Sequence, residues 1–566
     1  MTESKGPFPH VYPNIEDWGI HQLHADRSNF IKEIDREVIQ RYQHKSNEDI
    51  RNIIAKTIYN ERIRIKEEPW KVDPPNDKQF WKKISKRLIL DKDDDETKQS
   101  NLELLQKIIN RYSEEIVASF NPKTFEFARK FLRVFFGRLL KSASGRNFGR
   151  ILGSKKELID KLKIYGAVEQ VRALSQKGTV IFVPTHFSNL DSILIGYIMD
   201  QIAGIQFPTF GAGLNLYNTG YTAYFINRLG AYRIDRRKKN PIYLETLKAY
   251  SMLALQRGTS SIFFPGGTRS RSGAMENKLK MGMLGTAIEA QRANYQAGRE
   301  DKIFVVPVIL GYHFVLEGKF LIEQHLRKTG KEMYFKSSRD QSYSFRKVMK
   351  FIWDTFSESS SINLTIGKPM DVLGNFVDDN GFSYDDNEKQ VELKEFFYTK
   401  GKVVKNQQRE MVYTRRLGER IVERFYADNL LLSSHLVAYV AFQMLLAQNP
   451  SLDIYGILRL PPEDYIFPMD AMKAAIAQMR TVLFEMQKNG EIKLSRIINL
   501  EIEDLIKDGI NQLGTYHAEQ PLKFNKKGQI ISEDFNVLFF YANRLENYGF
   551  DTAIPWKNFE LEEVTG

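Results

Sequence analysis

Short apolar runs alternate with longer helical patterns between about residues 178 and 367, and this alternation constrains the fold more than any other feature. Runs rich in valine, isoleucine and phenylalanine are typical of buried strands; six of them are TVIFVP, IQFPTF, AYRI, SIFFP, IFVVPVIL and INLTIG. Helical periodicity marks NPIYLETLKAYSMLALQRG and LKMGMLGTAIEAQRANYQAG between them. The pattern predicts an α/β fold with a central mixed, largely parallel sheet flanked by helices.

The regions on either side of this alternation are predicted to be helical. Residues 1–119 form an N-terminal helical region, in which NLELLQKIINRYSEEIV is helical in period and KVDPPNDKQFW marks a loop. The α/β domain is expected over residues 120–370. An Asn-, Asp- and Gly-rich segment at 371–388 is interpreted as a linker or loop, and residues 389–566 as a C-terminal helical region.

Composition excludes several classes of protein. The 566 residues include no cysteine, which rules out disulfide scaffolds, thiolate metal sites and a cysteine nucleophile. A formal charge of +12 suits an anionic partner: nucleic acid, an anionic lipid surface or a phosphorylated substrate. The alternative is that the charge serves only solubility. No secretory signal is expected, and the most apolar stretch, Leu430 to Ala447, is interpreted as a buried core helix because polar residues interrupt it.

A basic amphipathic helix is predicted from Thr124 to Lys141. Its apolar side gathers Phe127, Phe131, Val134, Phe135 and Leu139, and its basic side carries most of Arg129, Lys130, Arg133 and Lys141. A helix of this kind lies in the interface of a bilayer in many peripheral proteins. The alternative is an ordinary core-facing helix with solvated arginines.

A histidine and an acid stand where the strand TVIFVP gives way to a helix. His186 follows Pro184 by two residues, and Asp191 lies five residues further on. Residues five apart on one helix differ in direction by about 140°, so the two side chains meet only if His186 lies on the preceding turn. Asp191 then orients one ring nitrogen and leaves the other free to take a proton. Ser188 or Asn189 is expected to cap the helix, and a surface histidine beside a capping aspartate is the alternative interpretation.

Three further segments follow apolar runs and add cations. GAYRIDRR ends in two arginines, FPGGTRSRSG leaves a strand through a Gly-Gly turn, and VPVILGYHFVLEG follows the third run. The glycine turn exposes backbone N–H groups, and the planar guanidinium groups of Arg269 and Arg271 match phosphate oxygens. Because ligands bind at the carboxyl ends of parallel strands, these segments predict an anion pocket beside His186. A solvated basic loop is the alternative for TRSRS alone.

In order and content these four blocks resemble the glycerolipid acyltransferase superfamily and its HX4D motif. THFSNLD is similar to the first block, GAYRIDRR to the second, FPGGTRSRSG to the third and VPVILGY to the fourth, over about residues 178–318. VPTHFSNLDSILIGY and VPVILGYHFVLE most resemble the glycerol-3-phosphate acyltransferase family, and DNLLLSSHLVAYVAFQMLL is similar to the helical region that follows there. Two positions depart from the pattern. Gly266 stands where the third block usually has glutamate, and IDR is closer to lysophosphatidate acyltransferases.

The resemblance implies an enzyme of phospholipid biosynthesis that moves an acyl group from acyl-CoA or acyl carrier protein to the sn-1 hydroxyl of glycerol 3-phosphate. His186 would be the general base and Asp191 would orient it. Backbone N–H groups near Gly267 or at the helix start are the expected oxyanion donors. Substrate binding would fall to residues of the other blocks: Arg236, Gly267, Thr268, Arg269, Ser270, Arg271 and Pro307. The arginines would hold the acceptor phosphate, and Pro307 would help shape the acyl channel. No metal or cofactor is expected, since HExxH and similar spacings are absent from the sequence.

The expected partners are therefore acyl-CoA or acyl carrier protein, glycerol 3-phosphate and an anionic membrane surface. A peripheral or monotopic protein on the cytoplasmic face is expected. Gly266 keeps other acceptors open, among them 1-acylglycerol 3-phosphate, dihydroxyacetone phosphate and alcohols without phosphate. A basic nucleic-acid-binding protein is a rival of another class, but a recognised nucleic-acid module is missing from the sequence, and no nucleic acid is expected. A non-catalytic lipid-binding scaffold is the third alternative.

Overall fold

The computed structural model describes residues 3–4, 6–90, 96–141, 162–217, 220–315, 317–329, 362–514 and 517–563. The N-terminal region is helical, as predicted, with the helices α1 (Gly19–Ala25), α2 (Arg27–Gln43), α3 (Asn47–Glu67), α4 (Asp77–Leu90) and α5 (Glu96–Ile116). Helix α4 begins at Asp77, so the predicted loop KVDPPNDKQFW is a loop only in its first half. Helix α6 (Pro122–Lys141) leads towards the sheet.

The centre of the fold is a mixed sheet. Its strands are β1 (Leu162–Gly166), β2 (Gly178–Pro184), β3 (Thr209–Gly213), β4 (Ala231–Ile234), β5 (Ser261–Ile262), β6 (Lys302–Gly311) and β7 (Ile362–Ile366). They lie in the order β1-β7-β6-β2-β5-β3-β4. Strands β6, β2, β5, β3 and β4 are parallel, and β7 runs antiparallel to β6. The predicted largely parallel α/β sheet is confirmed.

Two details of the sheet differ from the sequence prediction. Strand β1 was not predicted; only Leu162 and Ile164 among its residues are buried, which leaves little pattern to detect. The segment IQFPTF contributes only its last two residues to β3. Both strands are defined by backbone pairing with neighbouring strands: β1 pairs with β7, and β3 pairs with β4 and β5.

Helices alternate with the strands of this sheet along the chain. They are α7 (Val168–Leu174), α8 (Asp191–Gln201), α9 (Gly220–Ile226), α10 (Pro241–Gln256), α11 (Met281–Gln296) and α12 (Gly318–Thr329). Helix α10 also shares a hydrophobic core with the N-terminal helices: Tyr243 and Tyr250 of α10 pack with Phe30, Trp81 and Tyr112. Burial of these large aromatic groups attaches the N-terminal region to the sheet domain.

The segment at 371–388, with the residues that follow it, contains paired short strands β8 (Phe376–Val377), β9 (Ser383–Tyr384) and β10 (Gln390–Val391). Beyond it, the strands are β11 (Tyr398–Thr399), β12 (Lys402–Val403), β13 (Leu430–Leu431), β14 (Tyr465–Ile466), β15 (Lys493–Leu494), β16 (Lys523–Phe524), β17 (Ile530–Ile531) and β18 (Glu562–Glu563). The helices are α13 (Gln407–Ala427), α14 (Ser433–Gln448), α15 (Ile454–Ile457), α16 (Met469–Lys488), α17 (Ile502–Gln512), α18 (Phe535–Ala542) and α19 (Phe550–Ala553).

The C-terminal helices and the sheet share one hydrophobic core. Helix α14 is buried along nearly its whole length, as predicted for the apolar stretch from Leu430 to Ala447. Its residues and those of α18 belong to the same buried cluster as the sheet strands. The C-terminal helices therefore pack directly against the sheet domain.

One close contact between the C-terminal helices and the third block gives a stability test. Gly273 has φ +89°, and a Cβ atom there would lie 1.9 Å from the carbonyl oxygen of Phe540 in α18. We expect Gly273→Ala to lower the free energy of unfolding by about 3 kcal/mol, from backbone strain and overpacking together. Chemical denaturation would measure this change.

Gly258→Ala is the matched control. Gly258 has a similar φ of +77°, but nothing lies within 4 Å of its added Cβ. Its cost is expected to be about 1–2 kcal/mol, from backbone strain alone. Equal losses in the two variants would contradict the contact with α18.

Candidate active site

His186 and Asp191 meet at the carboxyl end of β2. Nδ1 of His186 lies 2.9 Å from Oδ2 of Asp191. Asp191 is the first residue of α8 and is fully buried, whereas the His186 side chain is 14% exposed. His186 therefore lies on the turn before the helix, as the five-residue spacing requires. With Nδ1–H donating to the carboxylate, Nε2 is the nitrogen free to accept a proton.

The Asp191 carboxylate also organises the turn. The backbone N–H groups of Phe187 and Ser188 donate to its Oδ2 at 2.7 and 2.9 Å, and the hydroxyl group of Tyr312 donates to its Oδ1 at 2.7 Å. The expected capping by Ser188 or Asn189 is wrong. The N-cap of α8 is Leu190 with no side-chain cap, because Asp191 itself reaches back to the turn.

The end of the fourth block reaches the site through Tyr312 and Glu317. Burial first, and then the charge of Asp191, raise the pKa of Tyr312 well above 10, so Tyr312 stays a proton donor to the carboxylate. Glu317 is buried; its Oε2 accepts from the Ser188 hydroxyl at 3.0 Å, and its Oε1 accepts from Arg269 at 3.0 Å. Burial raises the pKa of Glu317, while the charge of Arg269 opposes that shift. Glu317 thus connects the first and third blocks.

The guanidinium groups of the third block lie close enough to Arg236 of the second block for their charges to lower its pKa. The pKa of Arg236 is lowered, first by partial desolvation and then by the positive charges of Arg269 and Arg271. Among the described residues, no hydrogen bond or ion pair is made by Arg236 or Arg271, and Arg236 is exposed. The Lys280 amine adds a fourth cation, since it lies 2.6 Å from the Cβ position that Gly267 leaves empty. A cluster of cations with little compensating charge is suited to an anionic ligand.

The third-block turn connects this cluster to His186. The Ser270 N–H group donates to the His186 carbonyl at 2.7 Å, and the Ser270 hydroxyl donates to Ala274 at 2.7 Å. Gly267 has φ +74°, which favours glycine, and half-buried Thr268 follows it. The Gly267 N–H group donates to Phe264 at 3.1 Å. The amides of Phe187 and Ser188 also donate, to Asp191. The expected role of N–H groups near Gly267 or at the helix start as oxyanion donors stays a prediction.

Pro307 lies within the central strand rather than at its end. It is buried in β6, pairs with Val183 of β2, and its carbonyl accepts from Gly367 at 2.8 Å. The fourth-block residues that contact the His186–Asp191 pair directly or through the turn are Tyr312 and Glu317. The proposed part of Pro307 in an acyl channel stays a prediction.

Besides Glu317 and Lys280, the sequence prediction also missed the charged residues Arg544 and Glu276. The Arg544 guanidinium lies 4.1 Å above the Phe187 ring, and it donates to the Leu310 carbonyl at 2.8 Å. Burial lowers the pKa of Arg544 to about 10, so it is still charged at neutral pH. The Glu276 carboxylate accepts from the backbone N–H of His186 at 3.1 Å. No local signal marks Arg544, which comes from the C-terminal region, whereas Glu276 follows the third block closely enough to have been considered.

The N-terminal region holds the second block in place. Arg237, next to Arg236, donates to Asp73 at 2.5 Å and to Asp235 at 2.8 Å, and its guanidinium lies 4.1 Å above the Trp70 ring. Lys238 forms an ion pair with Glu115 of α5. Both cations are therefore neutralised by structural partners, which leaves Arg236 as the second-block cation that is open to solvent.

Within the described residues, no group of three or more histidine, aspartate and glutamate side chains is placed to hold a metal ion. No helix in this part of the chain combines the length and the apolar character needed to cross a bilayer.

The stretch from the end of β1 to the end of β6 carries the first three blocks and most of VPVILGY, and this stretch, residues 166–311, matches the acyltransferase family model. Residues 166–311 are therefore similar to the acyltransferase family. Similar curated proteins are glycerol-3-phosphate acyltransferases. That of Aeromonas hydrophila is 26% identical over 404 residues, 71% of this chain and 44% of the relative. That of Ectopseudomonas mendocina is 27% identical over 284 residues, 50% of this chain and 30% of the relative.

A third relative, from Pseudoalteromonas atlantica, is 30% identical over 223 residues, which is 38% of this chain and 25% of the relative. The matched part of this chain thus spans less than half the length of each of these three relatives.

The Glu276 carboxyl group makes stability depend on pH. Burial raises its pKa from 4.5 to about 7, against the opposing effects of the His186 amide and Arg544. Between these two values the folded protein binds more protons than the unfolded chain, so the free energy of unfolding falls as pH rises from 4.5 to 7. We expect Glu276→Gln to remove about 2–3 kcal/mol of this fall.

Chemical denaturation at pH 4.5 and pH 7.5 would measure the effect. Glu560→Gln, which changes an exposed glutamate, is the control and should leave the pH dependence as in the parent protein. An unchanged slope in Glu276→Gln would show that the carboxyl group ionises as it does in the unfolded chain.

Proposed function

We propose that this protein transfers an acyl group from acyl-CoA or acyl carrier protein to the sn-1 hydroxyl of glycerol 3-phosphate. The observation that carries the proposal is the 2.9 Å contact between Nδ1 of His186 and buried Asp191, next to a third-block turn that bears guanidinium groups. The names of the similar proteins support the same acceptor. The relatives extend well beyond the matched region, so activity, substrates and partners are stated for this chain as proposals.

In the proposed reaction, Nε2 of His186 takes the proton of the acceptor hydroxyl while its oxygen attacks the thioester carbonyl. Asp191 keeps Nδ1 protonated and stabilises the imidazolium ion that forms. The tetrahedral intermediate then collapses, the carbon–sulfur bond breaks, and the imidazolium ion returns the proton to the thiolate. An ester and a free thiol are formed, without a covalent enzyme intermediate.

The arginine cluster would bind the acceptor phosphate. Arg236 and Arg271 are without acidic partners among the described residues, and Arg269 shares its charge with Glu317. Holding the phosphate fixes the distance of the acceptor hydroxyl from His186, so binding energy is converted into orientation. A phosphate-bearing acceptor is therefore favoured over a neutral alcohol.

Purified protein incubated with glycerol 3-phosphate and palmitoyl-CoA or palmitoyl–acyl carrier protein should yield 1-acylglycerol 3-phosphate, identified by mass spectrometry. His186→Ala should lower kcat by about a thousandfold, because the general base is lost.

Arg236→Ala should raise KM for glycerol 3-phosphate with a smaller effect on kcat, whereas Lys239→Ala, which removes an exposed cation three residues away, should change neither.

Assays with other acceptors distinguish glycerol 3-phosphate from the alternative acceptor substrates. Lysophosphatidate, dihydroxyacetone phosphate and a phosphate-free alcohol would be offered in the same assay. Transfer confined to lysophosphatidate would move the proposal to the next acylation step, and full activity in His186→Ala would remove the histidine from the mechanism.

We further propose peripheral attachment to an anionic membrane on its cytoplasmic face. In α6, Phe127 and Phe131 are 57% and 42% exposed, whereas Phe125 and Ala128 are buried. Arg129, predicted for the solvated face, instead pairs with Asp200 at 2.8 Å. Tyr224 of α9 is also exposed, and Phe127 stacks on the neighbouring Phe225. The side chains of Val134, Phe135, Leu139, Arg133 and Lys141 lie outside the described ones.

An exposed aromatic surface on a cationic protein suits insertion among lipid headgroups, and the proposed product is itself a lipid. Phe127→Ser/Phe131→Ser should reduce cosedimentation with phosphatidylglycerol vesicles at least about fivefold, since buried aromatic area is lost. Phe382→Ser/Phe484→Ser, which alters comparably exposed aromatics elsewhere, is the control. Equal binding by both double variants would contradict attachment through α6.

A further inference from the structure

A second carboxylate holds His186, and it acts on the backbone rather than on the ring. Glu276 lies between the third block and α11, and its Oε1 accepts the His186 N–H at 3.1 Å. The residue as a whole is half-buried, but its other carboxylate oxygen, Oε2, is shielded from solvent. The carboxyl group therefore points inwards towards the turn after β2.

The segment that carries Glu276 bonds to His186 from both sides. The Ser270 N–H donates to the His186 carbonyl at 2.7 Å, while the His186 N–H donates to Glu276. The Lys280 N–H donates to the Pro265 carbonyl at 2.8 Å and so closes the segment into a loop. Both polar groups of the His186 backbone are thus bonded to this one loop, independently of the bond between the His186 ring and Asp191.

Gly266 leaves the space that Glu276 occupies. A Cβ atom at position 266 would lie 3.1 Å from both Cγ and Oε1 of Glu276. This distance is shorter than an ordinary contact between such atoms, so a side chain at 266 would push against the carboxylate that bonds His186. Unlike Gly267, Gly266 has no positive φ that would itself favour glycine. A side chain at 266 could be accommodated only if the Glu276 side chain shifted by a few tenths of an ångström.

We propose that Glu276 is a positioning residue that fixes the His186 backbone, and that the missing side chain at Gly266 leaves room for its carboxylate. The two positions form one unit, in which glycine at 266 makes room for glutamate at 276. The inference rests on the proposed acyl transfer for its kinetic consequence and on geometry alone for the hydrogen bond. Glu276 acts through His186 and does not touch the reacting atoms.

The parent enzyme would be compared with three variants: Glu276→Ala, Glu276→Gln and the double variant Gly266→Glu/Glu276→Ala. Loss of one charge-assisted hydrogen bond predicts a fall in kcat of about tenfold to hundredfold for Glu276→Ala, with KM for glycerol 3-phosphate nearly unchanged. Glu276→Gln keeps an acceptor oxygen and should stay within about threefold of the parent kcat. The double variant should recover at least about tenfold of the loss. Asn277→Ala, at the exposed neighbouring residue, is the matched control and should not change kcat.

A second measurement does not depend on catalysis. Hydrogen–deuterium exchange of the peptide that contains His186 should speed up in Glu276→Ala and stay slow in Glu276→Gln and in the double variant. Thermal melts identify any variant that has not folded, and the glutamine variant then decides the question. A kcat loss above tenfold in Glu276→Gln, or unchanged kcat and exchange in folded Glu276→Ala, would overturn the proposal. An inactive parent enzyme with the expected exchange pattern would instead reject the acyl-transfer function and leave the positioning role supported.

Discussion

The buried carboxylate of Asp191 is the group on which the geometry of the site depends. Burying an ionised carboxylate is costly unless hydrogen bonds replace its water shell. Here the donors are the His186 ring, the amides of Phe187 and Ser188 and the Tyr312 hydroxyl. These groups follow two neighbouring parallel strands, β2 and β6, in which Pro184 pairs with Val308. The buried charge of Asp191 thus holds the turn after β2, the His186 ring and Tyr312 at the end of β6 in one arrangement.

The site separates charge of opposite sign. The carboxylates of Asp191 and Glu317 lie in the buried part and accept hydrogen bonds from the turn after β2. Arg236 lies on the open side, where an anion can reach it, and its pKa is lowered first by partial desolvation and then by the positive charges of Arg269 and Arg271. Buried Arg544 places a positive charge among the inner carboxylates and offsets their mutual repulsion. A bound anion would therefore find its counter-charge at the surface, while His186 stays beside the buried carboxylates.

Local pattern was enough to predict the sheet and the pair of His186 and Asp191, because both depend on residues that are close in sequence. Strand periodicity marks β2 and β6, and the five-residue spacing allows only one way for histidine and aspartate to meet. Arg544 could not be predicted in this way, because its place above Phe187 depends on how α18 and the residues after it pack against the sheet. Strand β1 escaped detection since its burial pattern is too short, and its identity as a strand comes from pairing with β7.

The second block shows why adjacent cations in a motif have different roles. Arg236 and Arg237 occupy the turn after β4, which the Lys238 N–H closes by donating to the Asp235 carbonyl at 3.1 Å. Arg236 is exposed there, whereas Arg237 contacts Asp73 and Trp70 of the N-terminal region. Lys238, which pairs with Glu115, is buried as well. Had Arg237 and Lys238 remained free, their repulsion would act on Arg236 and the third-block arginines. Asp73 and Glu115 of the N-terminal region, together with Asp235, neutralise these two cations and leave the charge of Arg236 uncompensated beside the third block.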